Sequence, residues 1–141
     1  MNMRRRLSAA AQEEETTMAQ RIQTDAAPQP IGPYSQALVA GPFVFVSGQG
    51  PLDPATGAQP DGVEAQTHQV MKNLRTILEA AGASMSDVVK STVHLANLDD
   101  FATFNGVYAQ YFTEPYPTRT TVGSSLLGIL VEIDVIAYRG E

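Results

Sequence analysis

Phe43-Val44-Phe45-Val46 leads into Ser47-Gly48-Gln49. Four consecutive apolar residues of high strand propensity, entered through the turn signal Gly41-Pro42, predict a strand over residues 43–47 that is covered on both faces. A second β-like run, residues 35–40, precedes it. Ahead of that lies an irregular arm, residues 25–33, with three prolines and one glycine. Behind it, residues 49–62 hold Pro51, Pro54 and Pro60 with Gly50, Gly57 and Gly62, and read as a long loop.

The next element is helical. Val63, Val70, Met71, Leu74, Ile77, Leu78 and Ala81 recur at helical spacing. Asp61 and Glu64 stand in a capping-box relation, and Gly82 supplies the stop. Gln69, Lys72, Asn73 and Arg75 fall on the opposite, polar face. Residues 88–95 predict a strand with Val89, Ser91, Val93 and Leu95 on one side. Asp99 is the expected cap of a second helix, whose buried stripe is Phe101, Phe104, Tyr108, Tyr111 and Phe112; Pro115 and Pro117 end it. Residues 119–124 and 130–138 predict two closing strands joined by a turn near Gly128.

The order is therefore β-β-α-β-α-β-β, an α+β domain. Right-handed crossovers place both helices on one side of the sheet. The other face stays open, although residues 43–46 demand cover on both. Self-association through the open face is the expected solution.

Composition agrees with one soluble domain. The chain has 141 residues, 43% hydrophobic and 17% charged, so a packed core is expected and wholesale disorder is not. The absence of cysteine excludes disulfides, thiolate nucleophiles and cysteine-based zinc sites. A net charge of −6 disfavours binding to nucleic-acid phosphates. No apolar run approaches the ~18 residues of a membrane span, and the location expected is cytoplasmic. Residues 1–20 pass from a basic cluster through alanines to three glutamates. They read as a disordered or frayed tail, with the domain over 21–141 and Met18 an alternative natural start. A basic anchor is the other reading, weakened by the glutamates beside it.

Three stretches break local rules in ways that suggest chemistry. Ile31-Gly32-Pro33-Tyr34-Ser35-Gln36 sets an aromatic hydroxyl after a rigid turn; an ordinary strand entry is the plain alternative. Pro117-Thr118-Arg119-Thr120-Thr121 opens a strand with a permanent cation, whose planar fork matches a carboxylate. A surface ion pair is the alternative there. Val131-Glu132-Ile133-Asp134 puts two acids on one face of a very apolar strand. Burial raises such carboxyl pKa values unless a cation, Arg119 on the neighbouring strand, counters it; a solvated acidic edge is the alternative. His68, one turn after Glu64, and His94, beside Lys90 and Thr92, lie in no metal-ligand spacing, so no metal is expected. No nucleophile elbow or phosphate loop occurs.

Taken together, Ile31-Gly32-Pro33-Tyr34-Ser35-Gln36-Ala37, Val46-Ser47-Gly48-Gln49, Asn97-Leu98-Asp99-Asp100-Phe101, Phe104-Asn105-Gly106-Val107-Tyr108, Pro117-Thr118-Arg119 and Val131-Glu132-Ile133-Asp134 resemble the RidA/YjgF family of reactive-intermediate deaminases. The resemblance runs from about residue 22 to 139. It implies a chorismate-mutase-like fold, helices on one face of a mixed sheet, and a homotrimer with a central barrel and active sites between subunits. It implies hydrolysis of 2-iminopropanoate and 2-iminobutanoate to 2-keto acids and ammonia, without a cofactor. By position it assigns Arg119 to the substrate carboxylate and Glu132 to the water. Tyr34, Ser47 and Asn105 become pocket residues, with the backbone of Gly48 and Thr121 beside imine and water. Thr121 stands where many members have cysteine, and residues 124–130 look about two residues shorter than the common turn. The rival readings are a noncatalytic small-carboxylate-binding or chaperone-like module, and a ribonuclease or translation inhibitor. The acidic charge speaks against the last.

Overall fold

The computed structural model describes residues 18–140. Its elements in chain order are β1 (Gln20–Ile22), β2 (Ala37–Ala40), β3 (Phe43–Gln49), α1 (Val63–Ala80), β4 (Val88–Leu95), α2 (Phe101–Tyr108), β5 (Thr118–Gly123) and β6 (Val131–Tyr138). The β-β-α-β-α-β-β order is borne out, with one strand added in front. β1 is too short and polar to carry a period-2 signal, and it pairs with β2 through Arg21 opposite Leu38. Most of the expected tail lies outside the described residues.

The six strands form one mixed sheet in the order β1-β2-β3-β6-β4-β5. The sheet is open at both edges. Only β4 and β5 run parallel, as the two ends of the connection that carries α2. β6 lies between β3 and β4, so β5 and β6 are not neighbours.

Both helices cover one face. Val44 and Val46 of β3, Val93 and Leu95 of β4, and Val131, Ile133, Val135 and Ala137 of β6 pack there against Val70, Met71, Leu74, Ile77 and Leu78 of α1. The opposite face carries Leu38, Phe43, Phe45 and Tyr138, each more than a third exposed. The continuous apolar run of β3 thus has one half in the core and one half uncovered.

Local expectations hold unevenly. α1 ends as predicted: Gly82 adopts φ 75°, its N–H donates to Glu79 O, and that of Ala83 donates to Leu78 O. This pair of bonds forms the Schellman ending. At the other end Asp61 does not cap; Gly62 holds the N-cap position at φ 85° with no side-chain bond. Asn73 does not lie on a solvated face. It is 2% exposed, and its Nδ2 donates to Gly50 O at 3.1 Å and Leu52 O at 2.9 Å. Val89 leaves the core face because the β4–β6 register shifts between Val88 and Lys90. Asn97, not Asp99, caps the approach to α2, accepting from Asp99 N at 2.9 Å.

Three buried amides hold the irregular segments. Gln36 bridges the arm, with Nε2 donating to Thr24 O and Pro28 O and Oε1 accepting from Thr24 N. Gln66 donates to Pro60 O and accepts from Leu130 N. Asn73 fixes the start of the 50–62 loop. Each satisfies backbone groups that no strand or helix would pair. No helix among the described residues is long and apolar enough to cross a membrane.

Candidate active site: two half-sites on opposite faces

The predicted residues gather into two groups. Tyr34, Ser47, Gly48 and Glu132 line one cavity of about 310 Å³. It adjoins a groove of about 620 Å³ that continues over Phe45, Asp134 and Ile136 along the open sheet face. Asn105 and Arg119 line another cavity, of about 450 Å³, with Tyr108, Ala109, Tyr116 and Pro117.

The first group is shaped by a bulge. The β3–β6 register shifts between Val46 and Gln49, leaving Ser47 and Gly48 without regular partners. The Ser47 hydroxyl donates to Ser35 O at 2.6 Å, and Ser47 N donates to Gln36 O at 3.0 Å. These bonds fix the arm that presents Tyr34, whose side chain is 48% exposed. Gly48 has no side chain because Glu132 occupies the space: a Cβ there would lie 3.0 Å from the Glu132 Cδ and 3.1 Å from Oε2. Among the described residues nothing donates a hydrogen bond to the Glu132 carboxylate.

Asp134 shares the Glu132 face. Burial pushes its carboxyl pKa up, against the lowering pull of His94, Lys90 and a hydrogen bond from Thr92. The expected counter-charge from Arg119 is absent, because β4 separates β5 from β6. Opposite Glu132 on β4 stands His94, whose Nδ1 pairs with the Ser124 hydroxyl at 2.7 Å. His68 does not pair with Glu64; its Nδ1 meets the Tyr111 hydroxyl at 2.7 Å.

The second group is on the helix side. In the parallel β4–β5 ladder, Ser91 is opposite Arg119 and Val93 opposite Thr121. Ser91 and Val93 are fully buried beneath the helices, so Arg119 and Thr121 point the same way. The Arg119 guanidinium lies over three rings of α2: Tyr108 at 4.9 Å, Phe104 at 5.5 Å and Phe101 at 5.6 Å. Phe101, expected in the core, is instead 41% exposed at the edge of this bed. Among the described residues Arg119 has neither a carboxylate partner nor an acceptor for its N–H groups. Among the described residues, the surface ion pair that was its alternative reading does not occur. Beside it, the buried Oδ1 of Asn105 and Oγ1 of Thr121 lack hydrogen-bond partners.

Alternation along β6 puts Glu132 on the face away from the helices, while Arg119 is on the helix side. Within one chain the two halves do not meet. Sequence reading missed Ser91 and Phe101 as part of the Arg119 environment. The i, i+3 relation of Asn105 and Tyr108 marks one helix face, but nothing in the sequence pairs Ser91 with that face.

A family model described as Endoribonuclease L-PSP matches residues 24–139. A RutC family protein of Pyrococcus horikoshii is 51% identical over 125 residues, 86% of this chain and 99% of the relative. A 2-iminobutanoate/2-iminopropanoate deaminase of Salmonella typhimurium is 43% identical over 127 residues, 86% of this chain and 99% of the relative. The crystal structure of RidA from an Antarctic Psychrobacter superposes with a TM-score of 0.81 at 46% identity, over 84% of this chain and 98% of that one. With the motifs, the fold and relatives matched almost end to end, this chain belongs to the RidA/YjgF family.

Proposed function

We propose that this chain is a deaminase whose substrates are small 2-imino acids, 2-iminopropanoate and 2-iminobutanoate, hydrolysed to the 2-keto acid and ammonia. The observation that carries the reading is Arg119, a permanent cation bedded on three rings with no acceptor for its donors among the described residues. A small carboxylate satisfies those donors through charge-assisted bonds worth roughly 1.5–3 kcal/mol. A protonated imine is already electrophilic, so the protein has only to orient it and deliver water. Glu132, free of donors among the described residues, takes a proton from the water as its oxygen bonds to the imine carbon, then returns that proton to the carbinolamine nitrogen. The C–N bond breaks, ammonia leaves, and the hydroxyl gives up its proton to Glu132 as the keto C=O forms. Tyr34, Ser47, Gly48, Asn105 and Thr121 form the walls. The naming of a 43% identical relative as such a deaminase supports the same substrates.

Because the halves occupy opposite sides of the sheet, the complete site requires a second copy. The assembly proposed is a homotrimer, with the open face turned inward. Leu38, Phe43, Phe45 and Tyr138 supply the apolar surface for it. Light scattering then gives about three times the 15.1 kDa chain mass, and a stable monomer at micromolar concentration refutes both the assembly and the shared site.

The deciding assay couples a pyridoxal-phosphate dehydratase, which releases the imine, to detection of the keto acid with and without this protein. Faster keto-acid release is expected. Unchanged release with retained binding of small carboxylates identifies a noncatalytic binding module instead.

A further inference from the structure

We propose that Tyr108, locked by Ser91, is the positioning residue that holds the Arg119 guanidinium in one orientation. The inference rests on the reading of Arg119 as the group that grips the substrate carboxylate.

Ser91 is a polar residue in the middle of an apolar layer, with no exposed surface. Its hydroxyl meets the Tyr108 hydroxyl at 2.6 Å. An apolar pair of the same shape would fill the space at little cost in stability, so the bond is not needed to keep the core closed. Its geometric effect is specific. The Tyr108 ring is flanked by Phe104 at 5.4 Å and Phe112 at 4.8 Å, and the hydroxyl bond anchors its far end. Of the three rings under Arg119, Tyr108 is nearest the guanidinium.

Ser91 is also the ladder partner of Arg119. Backbone pairing joins Arg119 to Ser91, the hydroxyl bond joins Ser91 to Tyr108, and the ring face returns to the guanidinium. This closed circuit ties the far end of a flexible side chain to its own strand. A cation attracted to a ring face follows that face, so a ring free to rock leaves the guanidinium with several orientations. Burial pushes the Tyr108 phenol pKa up, against the Ser91 bond and the Arg119 charge, and the ring stays neutral beneath its cation.

The test uses the full chain with Ser91→Ala, Tyr108→Phe, the double variant, and Tyr108→Leu. Each single change orphans one buried hydroxyl and lowers Tm. The double change removes both hydroxyls, so Tm returns toward the parent. A positioning role predicts that the KM for 2-iminobutanoate stays raised about five-fold in the double variant, with kcat moving less. Return of both Tm and KM to parent values in the double variant overturns the proposal, because the pair is then only structural. A second readout does not depend on turnover. The Arg119 Nε–Hε resonance, displaced by ring currents in the parent, moves toward the free-arginine position in Tyr108→Leu, the Phe101 and Phe104 rings remaining, and by a smaller amount in the double variant. An unmoved resonance in both refutes the proposal. If the parent hydrolyses no imine, the functional reading falls by itself and the resonance still decides the positioning.

Discussion

Gly48→Ala offers the sharpest probe of the Glu132 half of the site. The Gly48 backbone is outside the left-handed region, so alanine meets no backbone penalty there. What it meets is Glu132: the new methyl lies 3.0 Å from Cδ, 3.1 Å from Oε2 and 3.2 Å from Cγ. Carbon contacts settle near 3.5–4.0 Å, so the carboxylate withdraws by roughly 0.5–1 Å. Misplacement on that scale costs up to about 100-fold in rate, near 2.7 kcal/mol of transition-state stabilisation. The expected loss of imine hydrolysis is about 10- to 100-fold. Stability changes little, because the obstructing group is the end of a flexible side chain. Keto-acid release in the dehydratase-coupled assay measures the loss, and Tm measures the fold. Combining Gly48→Ala with Glu132→Gln tests the cause: if the methyl acts by displacing Glu132, the double variant is no slower than Glu132→Gln alone. Turnover by Gly48→Ala at the parental rate, or additive losses in the double variant, refutes the assignment of Glu132 as the water-handling group.

Four further outcomes follow from the same geometry. Arg119→Lys keeps the charge but loses the planar fork, so imine hydrolysis falls at least ~10-fold, about 1.4 kcal/mol, while the assembly mass stays constant; parental activity refutes the carboxylate clamp. Gly106→Ala, in α2 with nothing within 4 Å of the added methyl, raises stability by about 0.5–1 kcal/mol in thermal melts. Asp134 has its carboxyl pKa raised by burial, so the folded chain binds this proton more tightly than the unfolded one. Stability is therefore lost as pH climbs through the folded pKa, and Asp134→Asn raises Tm at pH 7 by a margin that shrinks as pH falls toward 4 and below. A chain beginning at Met18 keeps the parental Tm and turnover; a large loss of either shows that residues 1–17 dock on the domain.

The helices and the central strands were legible because a single strong signal marked each. α1 repeats its apolar residues over five turns, and Gly82 sits where only a positive φ continues the chain. The one-sided placement of the helices followed from connection handedness alone. Strand order was not legible. Consecutive strands most often neighbour one another, and that prior made β5 and β6 a pair. The parallel β4–β5 ladder requires the crossover through α2 to land outside β4, which no residue in β5 announces. The burial of Asn73 was hidden for a different reason. Its partners are backbone carbonyls of Gly50 and Leu52, and a carbonyl leaves no trace in a sequence.

That error in strand order reaches into the chemistry. With β5 beside β6, Arg119 and Glu132 would be cross-strand neighbours, and their charges would neutralise each other. The observed order inserts β4 and puts the two on opposite faces, so neither consumes the other. Among the described residues the guanidinium keeps unpaired donors over its aromatic bed, and the carboxylate keeps unpaired acceptors against Gly48. A site that must grip an anion and also activate water needs both groups unpaired until substrate arrives. On the proposed reading, one chain meets that need by separating them across its own sheet, and cannot then bring both to one substrate. In the proposed homotrimer a second copy supplies that means, because the half it presents is the half the first cannot turn around. The orphaned oxygens of Asn105 and Thr121, and the uncovered rings of Phe43, Phe45 and Tyr138, fit the proposed division of the site between copies. By this argument catalysis and association fall together: a charge placed at Phe45 on the open face abolishes imine turnover as completely as loss of Glu132, although Phe45 handles no proton.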